Sequence, residues 1–145
     1  MNMRRKVSQS ATALGAIAAV SLALAPTAAA EGSFSSSLTG VATGFNSRWW
    51  TDKNTDGAGT VIKFTSCSLF TGPGFRDVTV QLSRYRPVIA DVNEGQKTFS
   101  ACASGATSSG NWGDKQAADY RFAIMKINGS TSGYRLDVDT VGVSY

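Results

Sequence analysis

The chain has 145 residues and a formal charge of +4, but three of its fourteen basic residues, Arg4, Arg5 and Lys6, precede residue 31 and all ten acidic residues lie from there on. Residues 31–145 therefore carry eleven basic and ten acidic side chains, a net +1 without a clustered basic face, which argues against nucleic acid or an anionic membrane as partner. Histidine is absent, which excludes Ser-His-Asp and Cys-His nucleophile systems and His-based metal sites.

Residues 1–30 read as a cleaved secretory signal peptide. Arg4, Arg5 and Lys6 form a positive n-region, residues 11–25 an uncharged Ala/Leu/Val stretch, and Ala28-Ala29-Ala30 an A-x-A cleavage site. The apolar run is too short and too poorly flanked to persist as a membrane anchor. The mature chain is expected to begin at Glu31, to be secreted, and to have no membrane contact after cleavage. Its 115 residues are enough for one domain with a modest core.

Residues 31–40 (EGSFSSSLTG) are Ser-rich with a single charge, and predict a flexible N-terminal arm. The β domain is expected over 41–145, as short strands separated by Gly-, Asn- and Ser-rich turns with no helical period. Strand one, 41–51, places Val41, Thr43, Phe45 and Trp49 on one face and Trp50 on the other. Strand two, 60–69, alternates at Ile62 and Phe64 and changes parity at Cys67 and Leu69, predicting a bulge near Ser66. Thr71-Gly72-Pro73-Gly74 is a turn. Strand three, 77–86, points Val78, Val80 and Leu82 inward and is stopped by Pro87. An apolar piece, 88–92, leads to a turn at Asn93-Glu94-Gly95.

Strand four, 96–103, has Phe99 and Ala101 inward with Cys102 out of phase. Residues 104–118 predict a long polar loop carrying Trp112. Strand five, 119–127, alternates at Tyr120, Phe122 and Ile124. Strand six, 134–145, changes parity between Val138 and Val141, as a bulge or a strand crossing between sheets would require. Asn128-Gly129-Ser130 is read as a turn. Six to seven strands in this length predict an all-β fold, a small β-sandwich or a partly closed barrel.

Cys67 and Cys102 are the only cysteines. An isolated pair in an exported chain predicts one structural disulfide, closing a loop that stabilises by roughly 3–4 kcal/mol on the chain-entropy view. No C-x-x-C and no partner base supports a reactive thiol. Asp137 and Asp139 share a strand face, but paired carboxylates need a substrate cleft to hydrolyse glycosides, and a domain this small offers little to build one. Arg84 and Arg86 likewise read as two solvated arginines on a sheet face. Asp52, Asn54 and Asp56, followed by Gly57, resemble the opening of a calcium loop, yet the twelfth position is Lys63 rather than a bidentate Glu. The alternative is a polar inter-strand turn of residues that favour Asx-turns. No cofactor is implied. Trp50, turned away from the core face, and Trp112, in a polar loop, are expected at a binding surface, unless each folds over a sheet edge. Phe34 and Leu38, four apart in the arm, would share one face of an added strand and fill pockets of a protein partner.

An Ala-rich leader, a Ser/Gly-rich arm, a short all-β body with the Cys67/Cys102 pair, and the segment Phe45-Asn46-Ser47-Arg48-Trp49-Trp50 together resemble several actinobacterial secreted proteins. The layout is similar to that of the small adaptor subunit of the umbrella toxin particles. That resemblance implies a non-enzymatic connector between a helical-repeat toxin scaffold and a lectin-bearing subunit, with residues 31–40 docking into the scaffold. The resulting expectation is a secreted binding adaptor without catalysis. The alternatives are a protease inhibitor presenting 71–76 or 104–118, and a carbohydrate-binding module using Trp50 and Trp112.

Overall fold

A computed structural model describes residues 29–145; the expected signal peptide lies, apart from its last two residues, outside the described residues. Eight strands follow in chain order: β1 (Ser33–Val41), β2 (Trp50–Asp52), β3 (Gly59–Leu69), β4 (Val78–Arg84), β5 (Val92–Phe99), β6 (Thr107–Asp114), β7 (Ala118–Ile127) and β8 (Leu136–Ser144). They form two four-stranded antiparallel sheets, ordered β1-β8-β3-β6 and β2-β7-β4-β5, packed as a sandwich rather than closed into a barrel. No helix among the described residues is long and apolar enough to cross a membrane.

The core follows from period-two alternation. Val78, Val80 and Leu82 on β4 and Tyr120, Phe122 and Ile124 on β7 are inward and buried. They meet Ile62 and Phe64 on β3 and Val141 and Val143 on β8 across the inter-sheet space. Phe64 is the hub, with its ring edge-on to Phe99 (centroids 5.1 Å apart) and to Phe122 (5.7 Å).

The parity changes expected near Ser66 and near Asp139-Thr140 are one feature. Phe64 pairs with Val141 and Cys67 with Val138, so both strands kink side by side and register is kept across the kink. Ser66 takes a left-handed φ of 56° there, and its N–H turns aside to Ala106 O. Cys67 is thereby swung inward and bonds Cys102, with Cα atoms 5.2 Å apart. Both cysteines are buried, so the disulfide lies inside the sandwich, not on its surface.

Several expectations are corrected. Residues 31–40 are not a flexible arm: Ser33–Val41 forms β1, the edge of the first sheet, with Phe34 opposite Val143 and Leu38 opposite Val138. Serine is neutral enough for an edge strand once Phe34 and Leu38 have a core to pack on. The first expected strand, 41–51, is largely a connection ending in β2. The polar loop expected at 104–118 is mostly β6, whose inward positions Ser108, Gly110 and Trp112 are buried. Gly110 is small of necessity: a Cβ there would lie 2.8 Å from Phe99 and 2.9 Å from Trp112.

Candidate protein-docking surface

Of the residues expected to bind a partner, Leu38, Trp50 and Trp112 lie in the core and Phe34 packs half-buried against it. Trp50 is only 5% exposed, stacked on Tyr145 (6.0 Å) and tilted against Phe34 (5.7 Å). Leu38 is buried and Phe34 is packed on the same cluster, with the Arg48 guanidinium 3.9 Å over its ring. Trp112 is buried and donates from Nε1 to Gly95 O at 3.0 Å. A carbohydrate site built on Trp50 and Trp112 therefore lacks its aromatic platforms. Residues 104–118 are no inhibitory loop either, since β6 is paired with β3 along its length.

Asp52, Asn54 and Asp56 make a turn. Asp52 Oδ1 accepts from Asn54 N and Asp56 Oδ1 from Ala58 N, two Asx-type bonds. Glu31 closes the loop from outside, accepting from Lys53 N, Thr55 N and Thr55 Oγ1. Those bonds hold the Glu31 carboxyl below its ordinary range. Burial pushes Asp52 up; the Asn54 N–H opposes this, and the charges of Glu31, Asp56 and Asp114 add to the rise. No group of three or more His, Cys, Asp or Glu able to hold a metal occurs among the described residues. Asp137 Oδ1 accepts from Gly40 N at 2.6 Å, so that carboxylate fastens the end of β1.

The surface that stands out is at the other tryptophan. Asn46 bridges to Ala123, whereas Trp50 pairs with Tyr120, so the 46–50 side carries one extra residue. That slip exchanges the faces: Phe45 and Trp50 turn inward and Trp49 turns out. Trp49 is 38% exposed, with Tyr85 edge-on to it at 5.6 Å and the Arg121 guanidinium 4.3 Å over its ring. Trp49, Tyr85 and Asp119 line a shallow hollow of about 240 Å³.

Beyond Tyr85 the β4–β5 connection, 85–91, projects from the sheet with residues 85–90 all exposed. Tyr85 is 47%, Ile89 58% and Val88 fully exposed. Pro87 and Val88 form the turn at its tip, and Val88 has φ +73°. After Pro, that is the turn position normally given to Gly or Asn. A β-branched residue there costs about 1–3 kcal/mol, and no burial of Val88 compensates within the chain.

Both flanks of the loop are pinned. Arg84 Nε donates to Glu94 Oε1 at 2.7 Å and Lys115 Nζ to Glu94 Oε2 at 3.4 Å. Arg121 holds Asp91 at 2.8 Å, and Tyr85 N donates to Asp119 O at 2.8 Å. Burial pushes Glu94 up, but the hydrogen bonds and charges of Arg84 and Lys115 outweigh it and hold the carboxyl below its ordinary value. Underneath, the Tyr120 hydroxyl donates to Gln116 O, and burial together with the Glu94 charge pushes it up to about 12. Arg86, beside the tip, takes part in none of the ion pairs among the described residues. The arrangement can hold an apolar knob in place.

The disulfide end differs. Ser66, Leu69, Gly72, Phe75, Ser104 and Asp139 help to line an open concavity of about 600 Å³ there. Phe70, 59% exposed, belongs to the same end. From sequence, Thr71-Gly72-Pro73-Gly74 reads as a turn and the 88–92 segment as an apolar piece without a role. The signal available was an apolar pair directly after Pro87 that fits no alternating pattern. Compared with known protein families, curated proteins and solved structures, the chain matches none.

Proposed function

We propose that this chain is a secreted, non-enzymatic binding domain that acts as an adaptor between protein partners, as in an extracellular interbacterial toxin assembly. The observation that carries the reading is the exposed set Trp49, Tyr85, Val88 and Ile89: Tyr85, Val88 and Ile89 lie on a loop pinned at its feet, and Tyr85 meets Trp49 edge-on. Single exposed apolar residues are ordinary; a grouped set of Trp, Tyr and aliphatic side chains beside an arginine has the composition of an interface centre. An adaptor needs two separate surfaces. The concavity and Phe70 at the disulfide end supply a second one, remote from the 85–91 loop along β4 and β7. In this reading residues 31–40 are not the docking element, because Phe34 and Leu38 are packed on the chain's own core.

The test is photo-crosslinking in the culture fluid of cells that export the chain, with a benzophenone side chain at Ala90 on the loop and a control at Lys126 on the outer face of β7. The proposal expects one protein captured at Ala90 and not at Lys126. Equal labelling at both positions, or none at Ala90, contradicts it.

A further inference from the structure

We infer that the tip of the β4–β5 loop is a preorganised knob, with Val88 as its anchor, that inserts into an apolar pocket rimmed by carboxylate on a protein partner. This rests on the binding-domain reading and adds the mode of docking and the chemistry of the partner.

Three observations converge on it. Val88 is fully exposed in a left-handed conformation that a β-branched residue avoids, although Gly or Asn would fit the same turn without strain. Among the described residues nothing covers its side chain, so the fold they form gains nothing from having valine there. The loop is also rigid at both feet, through Arg84–Glu94–Lys115 on one side and Arg121–Asp91 on the other. A fixed knob loses little conformational freedom on docking, and that is what preorganisation contributes to affinity.

The same facts choose between a protein pocket and a lipid surface. A bilayer accepts apolar side chains in any orientation and needs no fixed turn, and with Trp49 and Tyr85 held against each other at the sheet, the freely projecting Val88 and Ile89 bury too little for stable membrane anchoring. A pocket with shape requires a fixed conformer. Charge supplies the rim. Of the carboxylates around the loop feet, Asp91 and Glu94 are engaged by Arg121, Arg84 and Lys115 and Asp119 accepts from Thr51 Oγ1, whereas Arg86 beside the tip is exposed and outside every ion pair among the described residues. A guanidinium so placed is matched by Asp or Glu at the mouth of the pocket.

The experiment uses the mature chain and the protein captured through Ala90, purified and titrated against four forms. Val88→Asn keeps a residue suited to the turn and removes the knob. It is expected to leave the melting temperature unchanged or raised while weakening binding about 10–100-fold. Arg86→Glu is expected to lower the association rate about tenfold and to flatten its salt dependence. Trp49→Ala, at the edge of the patch, reports on the binding surface as a whole. Peptide mapping of the crosslink should place it beside apolar residues with Asp or Glu near by. If Val88→Asn binds as tightly as the parent while Trp49→Ala does not, the knob is wrong and the binding surface stands. If both bind as the parent does, or if Ala90 captures lipid, glycan or nothing, both fail.

Discussion

The seam under Trp50 and the patch around Trp49 are built from the same kinds of residue one step apart on the chain, and they serve different ends. In the seam, Trp50 lies between Phe34 and Tyr145, which brings together β1, β2 and the end of the chain. In the patch, Trp49 is held by Tyr85 and Arg121 but keeps much of its surface in water. Both tryptophans are immobilised by neighbours; only one is covered. Immobilisation without burial contributes little to folding and is what a docking surface requires, because the ordering cost of binding has then already been met in the free protein. Backbone follows the same division. The seam is closed by strand pairing, Phe34 opposite Val143 and Trp50 opposite Tyr120, while the patch ends in a turn whose strain the rest of the domain tolerates.

The sharpest way to break the comparison is to truncate each tryptophan. Trp50→Ala should cost about 3–5 kcal/mol in urea unfolding, since a large side chain leaves a closed space. Trp49→Ala should stay within about 1 kcal/mol of the parent and lose partner binding instead. Equal losses of stability would erase the distinction. Next in size is the covalent tie at the far end of the sandwich. Replacing Cys67 and Cys102 by Ala together should lower stability by roughly 3–4 kcal/mol, for a closed loop of 35 residues, and leave the 85–91 loop competent to bind. Intact mass of the parent should be two hydrogens below that of the reduced chain.

Gly110→Ala probes the inner region from the other sheet. Its Cβ would meet Phe99 and Trp112, and overpacking of about 1–3 kcal/mol is expected by thermal or urea unfolding, with binding through the loop retained. The smallest effect belongs to the patch's own foundation. Glu94 has a carboxyl held below its ordinary value near 4.5, so its contribution is fully present above that value and is lost as pH falls through the depressed one. Stability of the parent should therefore fall below pH 4.5 more steeply than that of Glu94→Gln. Asp52, pushed up by burial, works in the opposite sense in both proteins and cancels in the difference. Parallel acid profiles would remove Glu94 as an anchor.

Much of the architecture was legible where inward positions are large and alternate, as at Val78, Val80 and Leu82 on β4 and Tyr120, Phe122 and Ile124 on β7. The parity changes at Ser66 and Asp139-Thr140 were legible too, although only the pairing of β3 with β8 makes them a single kink. β6 was hidden because its inward residues are Ser108, Gly110 and Trp112. The large rings of Phe99 and Trp112 already fill that layer, so the strand carries no apolar alternation. β1 was hidden because serine gives no signal of its own and an edge strand is defined by its neighbour. The candidate site was missed for a related reason. One extra residue between Asn46 and Trp50 reversed which tryptophan faces the core, and no local pattern announces such a slip. Val88 and Ile89 were visible as an apolar pair after Pro87, but their exposure is a property of the hairpin.

Amide hydrogen exchange on residues 31–145, alone and with the protein captured at Ala90, tests the central claim most directly. Docking through the knob predicts slowed exchange in residues 85–91 and around Trp49, with Ser33–Val41 protected equally in both states because it is already paired to β8. Slowed exchange confined to Ser33–Val41 or to the concavity beside the disulfide, with residues 85–91 unchanged, would contradict it.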